Sequence, residues 1–479
     1  MNFNNVFSVV GKILFLLSLV QVAPLALAFY YQEPFMPFLA SMVISALLGL
    51  FFSVRFKNTD DDDWTVRESY AVVALSWLFC ALMCAVPFLF FGFSPINAFF
   101  ESMSGVTTTG STIIPDIEIL PRSLLFWRSM TQWLGGLGVV MLFLAVIPKV
   151  NIKGHMLYKT EFAGPTEDKI SPRISKTAKM LWIFYVGITV LMIVLLLIFG
   201  VSFYDSVLFS FSTISTGGFA PYNDSIIALH NYKAEVIIIF FMILGATNFL
   251  LIYRAATRGI KNLLKDEEFR AFIGFFLLIS VVLAILLVRD MGYGFFTSLH
   301  YALFEISTVM TTTGFAIDDH NLWSGSAQML IFLAMITGSC SGSTAGGPSF
   351  FRWIILVRYA RRSIFKFIHP SAVKPVKYNG KSLSEEVVHS TISFMILYFL
   401  IFIVSAVLLS ILGLDFVSAA TSALTSLGNI GPAFGMIGPF DNFSVLPGLS
   451  RLIMIFNMWV GRLELYTVIL LFTREFWKK

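Results

Sequence analysis

Apolar residues fall along this chain in blocks of about twenty, separated by shorter stretches in which lysine and arginine are frequent. Ten blocks stand out, at 6–29, 35–54, 69–91, 123–147, 180–200, 235–253, 271–288, 327–367, 387–412 and 449–472. Each is long enough for a helix to cross a hydrocarbon core of ~30 Å. The first block holds Gln21 and Pro24, follows Asn2, Asn4 and Asn5 rather than basic residues, and leads straight into a second block. It therefore reads as a retained helix and not as a cleaved leader. The eighth block is overlong and broken by glycine. Between residues 69 and 100 no charge occurs at all. That stretch exceeds one span and is too apolar for an aqueous loop, so part of it must dip back into the membrane.

The returning segment ends in Gly105-Val106-Thr107-Thr108-Thr109-Gly110-Ser111, and the pattern recurs after later spans. It appears as Ser215-Thr216-Gly217-Gly218, as Thr311-Thr312-Thr313-Gly314 and, most changed, as Gly428-Asn429-Ile430-Gly431-Pro432. Aligning Gly110, Gly217, Gly314 and Gly431 gives separations of 107, 97 and 117 residues by subtraction. A period near one hundred residues defines a repeat of span, short pore helix, loop and span. Each short helix has about a dozen residues and reaches ~18 Å at ~1.5 Å per residue, which ends it near mid-membrane. Irregular backbone at that depth is tolerated where it is buried in protein or lines a wet cavity.

The sequence thus predicts an all-α polytopic membrane protein. Four span–pore helix–span repeats surround a central pore in pseudo-fourfold fashion, preceded by two extra transmembrane helices. The boundaries are 1–67 for the leading helices, 68–149 for the first repeat, 150–258 for the second with its preceding loop, 259–368 for the third, and 369–479 for the fourth. Composition agrees, with 57% hydrophobic and 13% charged residues, against about 25% charged in a soluble domain.

Charge fixes the expected orientation. Most of the 33 lysines and arginines fall at 55–67, 149–179, 254–270, 352–381 and 474–479, and short basic connections stay cytoplasmic, which puts both termini inside. The net charge of +5 is then a topology signal and says nothing of nucleic acid. The acidic run 60–63 reads as a solvated turn. Cys80, Cys84 and Cys340 lack metal or disulfide spacing, and His155, His230, His300, His320, His369 and His389 are scattered, so neither a metal centre nor an enzyme is expected.

Four glycine-centred loops on one axis suit a dehydrated cation. Backbone carbonyls replace its water, glycine lets the backbone turn at positive φ, and the C-terminal ends of four short helices point partial negative charge at it. The candidate filter is Thr108, Thr109 and Gly110; Ser215, Thr216 and Gly217; Thr312, Thr313 and Gly314; and Asn429, Ile430 and Gly431. Glu101 and Glu305, each nine residues before its glycine, read as partners of neighbouring polar groups behind the loops.

On these loops, the two leading spans, Asn429-Ile430-Gly431-Pro432 and Gly461-Arg462-Leu463-Glu464, the chain resembles the Trk, Ktr and HKT superfamily of cation transporters over almost its whole length. Within it, the bacterial Trk potassium uptake membrane subunits are the most similar. The resemblance implies potassium as substrate, with no cofactor in this chain, a glycine in every filter loop going with potassium preference, and residence in the bacterial inner membrane. It also implies a homodimer and a cytosolic nucleotide-binding regulatory subunit of the TrkA type, for which 149–179 and 352–381 are the expected docking surfaces. The stretch Gly338-Ser339-Cys340-Ser341-Gly342-Ser343-Thr344-Ala345-Gly346-Gly347-Pro348 is too rich in glycine and proline for a continuous helix, although its glycine spacing would also suit close helix packing. By resemblance it is an intramembrane gate loop, formed around Gly338, Gly342, Gly346 and Gly347, with Arg462 beside it in the permeation path. A charge at mid-span costs ~2.5–3.5 kcal/mol on insertion scales and demands a partner. Glu464 lies on another face and leaves that partner open. Two mechanisms remain, gated permeation and ion-coupled symport with protons or sodium.

Overall fold

The computed structural model describes residues 2–56, 65–138 and 174–478. The acidic run 60–63, the end of the fourth apolar block and most of the basic stretch 149–179 lie outside the described residues. Apart from a two-residue antiparallel ribbon, β1 (Lys377–Tyr378) with β2 (Lys381–Ser382), the regular structure described is helical.

Local chemistry sets the helix starts. The chain opens with α1 (Phe3–Val20), α2 (Val22–Tyr30) and α3 (Met36–Arg55). Helices α1 and α3 pack backbone to backbone at Gly11 and Gly49, where a Cβ on either would lie under 3.0 Å from the other's carbonyl oxygen. Small residues allow this in a membrane, where helices associate by close packing rather than by exclusion of water. Helix α4 (Val66–Phe90) begins in a reciprocal cap, Thr65 accepting from the Glu68 amide while Glu68 accepts from the Thr65 amide.

A common unit follows. Short helix α5 (Pro95–Val106) leads to α6 (Arg122–Gly136); after α7 (Ile174–Ile198), short helix α8 (Phe203–Ile214) leads to α9 (Tyr232–Gly245) and α10 (Phe249–Arg258). Then come α11 (Lys261–Lys265), α12 (Glu267–Leu286), short helix α13 (Phe295–Met310), α14 (Gly325–Thr337) and α15 (Phe350–Ile368). The last set is α16 (Glu385–Ile411), short helix α17 (Phe416–Gly428), α18 (Gly448–Arg462) and α19 (Tyr466–Ile469). Ser94, Ser202 and Asp415 cap α5, α8 and α17, satisfying amide protons that have no intrahelical partner. The C-terminal halves of all four short helices are buried.

Six of the described helices are long and apolar enough to cross a membrane alone. Two expected spans are not continuous. The sixth bends by 103° between α9 and α10, and the tenth by 115° after α18. The eighth is split into α14 and α15 by the glycine-rich segment, as its composition predicts.

Candidate functional site

Each short helix ends in the same backbone figure. The amide of Thr109 donates to the Ser104 carbonyl (2.8 Å), that of Gly217 to Ser212 (2.7 Å), of Thr313 to Thr308 (2.8 Å), and of Ile430 to Thr425 (3.0 Å). This six-to-one bond closes a helix when the residue before the donor turns left-handed. The left-handed residues are Thr108, Thr216, Thr312 and Asn429, with φ of 54°, 53°, 56° and 54°. A β-branched residue there is strained by ~1–2 kcal/mol, and strain held in copies marks a functional site. Asparagine tolerates the conformation best, which explains why the fourth loop departs in sequence yet keeps the shape.

Two residues further on, Gly110, Gly218, Gly314 and Gly431 have φ of 87°, 81°, 86° and 113°. The structure therefore corrects the register of the second loop. Gly218, not Gly217, stands at the position of the other three glycines, and Ser215 caps the helix as Thr107 and Thr311 do. The equivalent triplets are Thr108-Thr109-Gly110, Thr216-Gly217-Gly218, Thr312-Thr313-Gly314 and Asn429-Ile430-Gly431.

The four loops meet in a closed ring. A Cβ on Gly110 would overlap the carbonyl oxygen of Gly217, one on Gly218 that of Thr313, and one on Gly314 that of Ile430; one on Gly431 would lie 3.0 Å from that of Thr109. Each glycine thus abuts the residue preceding the glycine of the next loop, and the fourth returns to the first.

A polar shell holds this ring. Gln132 of α6 donates to the Gly217 carbonyl (2.6 Å) and accepts from the Phe219 amide (3.0 Å). Asn429 donates to the Thr109 hydroxyl (2.9 Å) and the Met458 carbonyl (3.1 Å), and Ser111 donates to the Gly431 carbonyl (2.9 Å). Behind the loops, buried Glu101 pairs with Arg128 at 2.9 Å, and Arg128 donates to the Ala220 carbonyl two residues past Gly218. Buried Glu305 lies 2.9 Å from His320, whose other ring nitrogen is 3.2 Å from the Ala433 carbonyl, two residues past Gly431. Both acids therefore staple one loop to the next.

The segment 338–348 lies against the ends of the short helices that lead into this ring, with Gly338, Gly342 and Gly347 at φ of 67°, 70° and 69°. The Thr216 hydroxyl is 3.3 Å from that of Thr344, and the Gly346 amide donates to the Thr312 hydroxyl (2.9 Å). Gly346 also sits where a Cβ would overlap the Gly428 carbonyl. Its backbone fills the break in the sixth span: Cys340 and Thr344 amides donate to the Ala246 and Gly245 carbonyls (3.1 and 3.2 Å), and the Phe249 amide to the Gly342 carbonyl (3.1 Å). Peptide groups freed by a bend inside a membrane need such partners. Glu268 of α12 holds the far side, accepting from the amides of Ser341 (2.7 Å) and Phe351 (2.9 Å).

Arg462 is the last residue of α18, at the break and not in mid-helix. Its guanidinium donates to the Thr344 carbonyl and to those of Gly135 (2.8 Å) and Gly136 (2.7 Å), tying the loop to α6. Glu464 pairs with Arg352. Arg462, Trp77, Gly346 and Gly347 share a cavity of about 70 Å³. Gln132, Glu268 and Thr344 are polar positions that sequence reasoning passed over; an uncharged glutamine amid the apolar fourth block was the available signal.

The family of cation transport proteins named TrkH matches residues 36–479. The Trk system potassium uptake protein TrkH of Halomonas elongata is 33% identical over 485 residues, covering 100% of both chains. The Trk system potassium uptake protein TrkG of Escherichia coli is 32% identical over 479 residues, 98% of this chain and 97% of its own. Among solved structures, the crystal structure of the potassium transporter TrkH from Vibrio parahaemolyticus has a TM-score of 0.90 at 30% identity, covering 100% of both chains.

Proposed function

The chain belongs to the TrkH family of cation transport proteins, and from that premise we propose that it takes up potassium through a single-chain pore whose filter is the four-glycine ring. It is a membrane transport protein and not an enzyme; the ion is substrate, not cofactor. The observation that carries the proposal is the closed ring, in which each glycine packs on the next loop's backbone. Four repeats built on one helix-capping figure present backbone oxygens to an ion at the ends of four short helices. The gate is the segment 338–348, seated beneath the ring and clamped by Arg462. The charge pattern favours both termini on the cytoplasmic side, and residence in the bacterial inner membrane is what the family resemblance implies. A second copy of the chain and a cytosolic nucleotide-binding subunit are the partners the resemblance implies.

Gated permeation is favoured over coupled symport because the two carboxylates behind the ring are committed. Glu101 is held by Arg128 and Glu305 lies 2.9 Å from His320, so each acid is part of a buried contact behind the ring rather than facing an ion on its axis. In vesicles, a potassium gradient alone should drive flux through the purified protein. A strict requirement for a proton or sodium gradient would transfer the protein to the symport class. The filter itself is tested by Gly110→Ser, which forces a side chain against the Gly217 carbonyl at φ of 87°. Rubidium and sodium competition assays should show selectivity for potassium over sodium reduced several-fold, and an unchanged ratio would count against the ring as filter.

A further inference from the structure

After the break that receives the loop, α10 and α11 run to the start of α12, and a cavity of about 710 Å³ opens among them. Its wall includes Arg254, Arg258, Lys265 and Arg270 against two carboxylates, Asp266 and Glu267. Both carboxylates are engaged. Asp266 accepts from the Asn379 side chain (2.8 Å) and the Phe269 amide (3.0 Å), and Glu267 lies 2.9 Å from Arg358. Beside the cations stand Ile260 and Leu264, 67% and 58% exposed. Cations interleaved with exposed apolar side chains, on the stretch that joins the bent sixth span to the apolar helix α12, suit a segment lying in the headgroup layer.

We propose that this cavity is a regulatory site for a phosphate-bearing anion, supplied by the headgroup of an anionic phospholipid, whose binding keeps the segment 338–348 seated. Lipid rather than a docking protein is favoured by Ile260 and Leu264, which an acyl chain would cover. The link to the loop is short. Asn248 donates to the Ser341 carbonyl (2.8 Å) while capping the first turn of α10, and the Phe249 amide bonds the Gly342 carbonyl. Arg254 and Arg258 ride on the same helix. An anion that neutralises the repulsion among Arg258, Lys265 and Arg270 favours the arrangement in which they converge, by its differential affinity for that state. The regulatory part of the proposal rests on the segment 338–348 being the gate.

The experiment uses the full chain and the double variant Arg258→Gln/Lys265→Gln. In detergent, short-chain phosphatidylglycerol should raise the Tm of the wild type by several degrees more than it raises that of the variant, with no shift from matched phosphatidylcholine. In vesicles, phosphatidylglycerol should lower wild-type potassium flux several-fold and leave the variant unaffected, the two proteins agreeing in pure phosphatidylcholine. Inorganic phosphate added to phosphatidylcholine vesicles separates the sources: variant-sensitive effects from phosphate alone would assign the site to a soluble anion. Responses that are absent from the wild type, or undiminished in the variant, overturn the site. A variant-sensitive Tm shift without any change in flux overturns the link to the gate and leaves the site standing.

Discussion

Replacing Gly218 with alanine should reduce potassium flux by at least roughly tenfold, about 1.4 kcal/mol in barrier terms, while Gly217→Ala should retain most of it. The difference follows from what each added Cβ meets. At Gly218 the backbone sits at φ of 81° and the Cβ would overlap the Thr313 carbonyl, backbone that belongs to the next loop of the ring. Neither strain nor overlap can be relieved without moving a candidate ion-binding oxygen. At Gly217 the backbone is not left-handed, and the Cβ would meet the side chain of Gln132, whose amide end can swing aside while its Cβ, 2.9 Å away, must give by a few tenths of an ångström. That movement costs the bonds from Gln132 to the Gly217 carbonyl and the Phe219 amide. Gly217→Ala and Gln132→Ala should therefore impair flux to a similar, moderate extent, and the double variant should be little worse than either single one. Radiotracer uptake in a potassium-uptake-deficient strain, with protein levels checked by immunoblot, reads all four variants. An inactive Gly217→Ala beside an active Gly218→Ala would restore the register that the sequence suggested.

That register is where the filter loops were misread, and the reason is local. Gly217 and Gly218 are adjacent, so counting to the first glycine in the second loop is off by one. The pairs Gly218-Phe219 and Gly314-Phe315 align and held the information. The apolar blocks were legible because bilayer thickness dictates their length. The end of α5 at Val106 and the split of the eighth block followed from helix length and from glycine and proline content. The breaks after α9 and α18 were not legible, because hydropathy runs through both. They form where tertiary partners take up the freed peptide groups: the loop backbone for Gly245, Ala246 and Phe249, and a turn through Glu464 and Leu465 at φ of 54° and 56° after Arg462. Spacing along a presumed straight helix left the partner of Arg462 open, and could not reveal that carbonyls of the loop and of α6 accept from it.

Arg462→Gln should raise potassium flux in reconstituted vesicles at least roughly tenfold. Two effects act in the same direction. On the proposed path a fixed positive charge opposes a permeating cation, and glutamine removes that. Glutamine also loses the clamp, since the guanidinium reaches Thr344 on the loop and Gly135 and Gly136 on α6 at once. Arg462→Lys separates the two, because an ammonium keeps the charge but lacks the planar fork that spans both sides. Three carbonyl dipoles already point at the guanidinium and offset its field along the path, so the clamp is the larger effect. The lysine variant should then conduct nearly as freely as the glutamine variant. Flux restored to wild-type level by lysine would assign the barrier to charge instead, and wild-type flux in both variants would remove Arg462 from the gate.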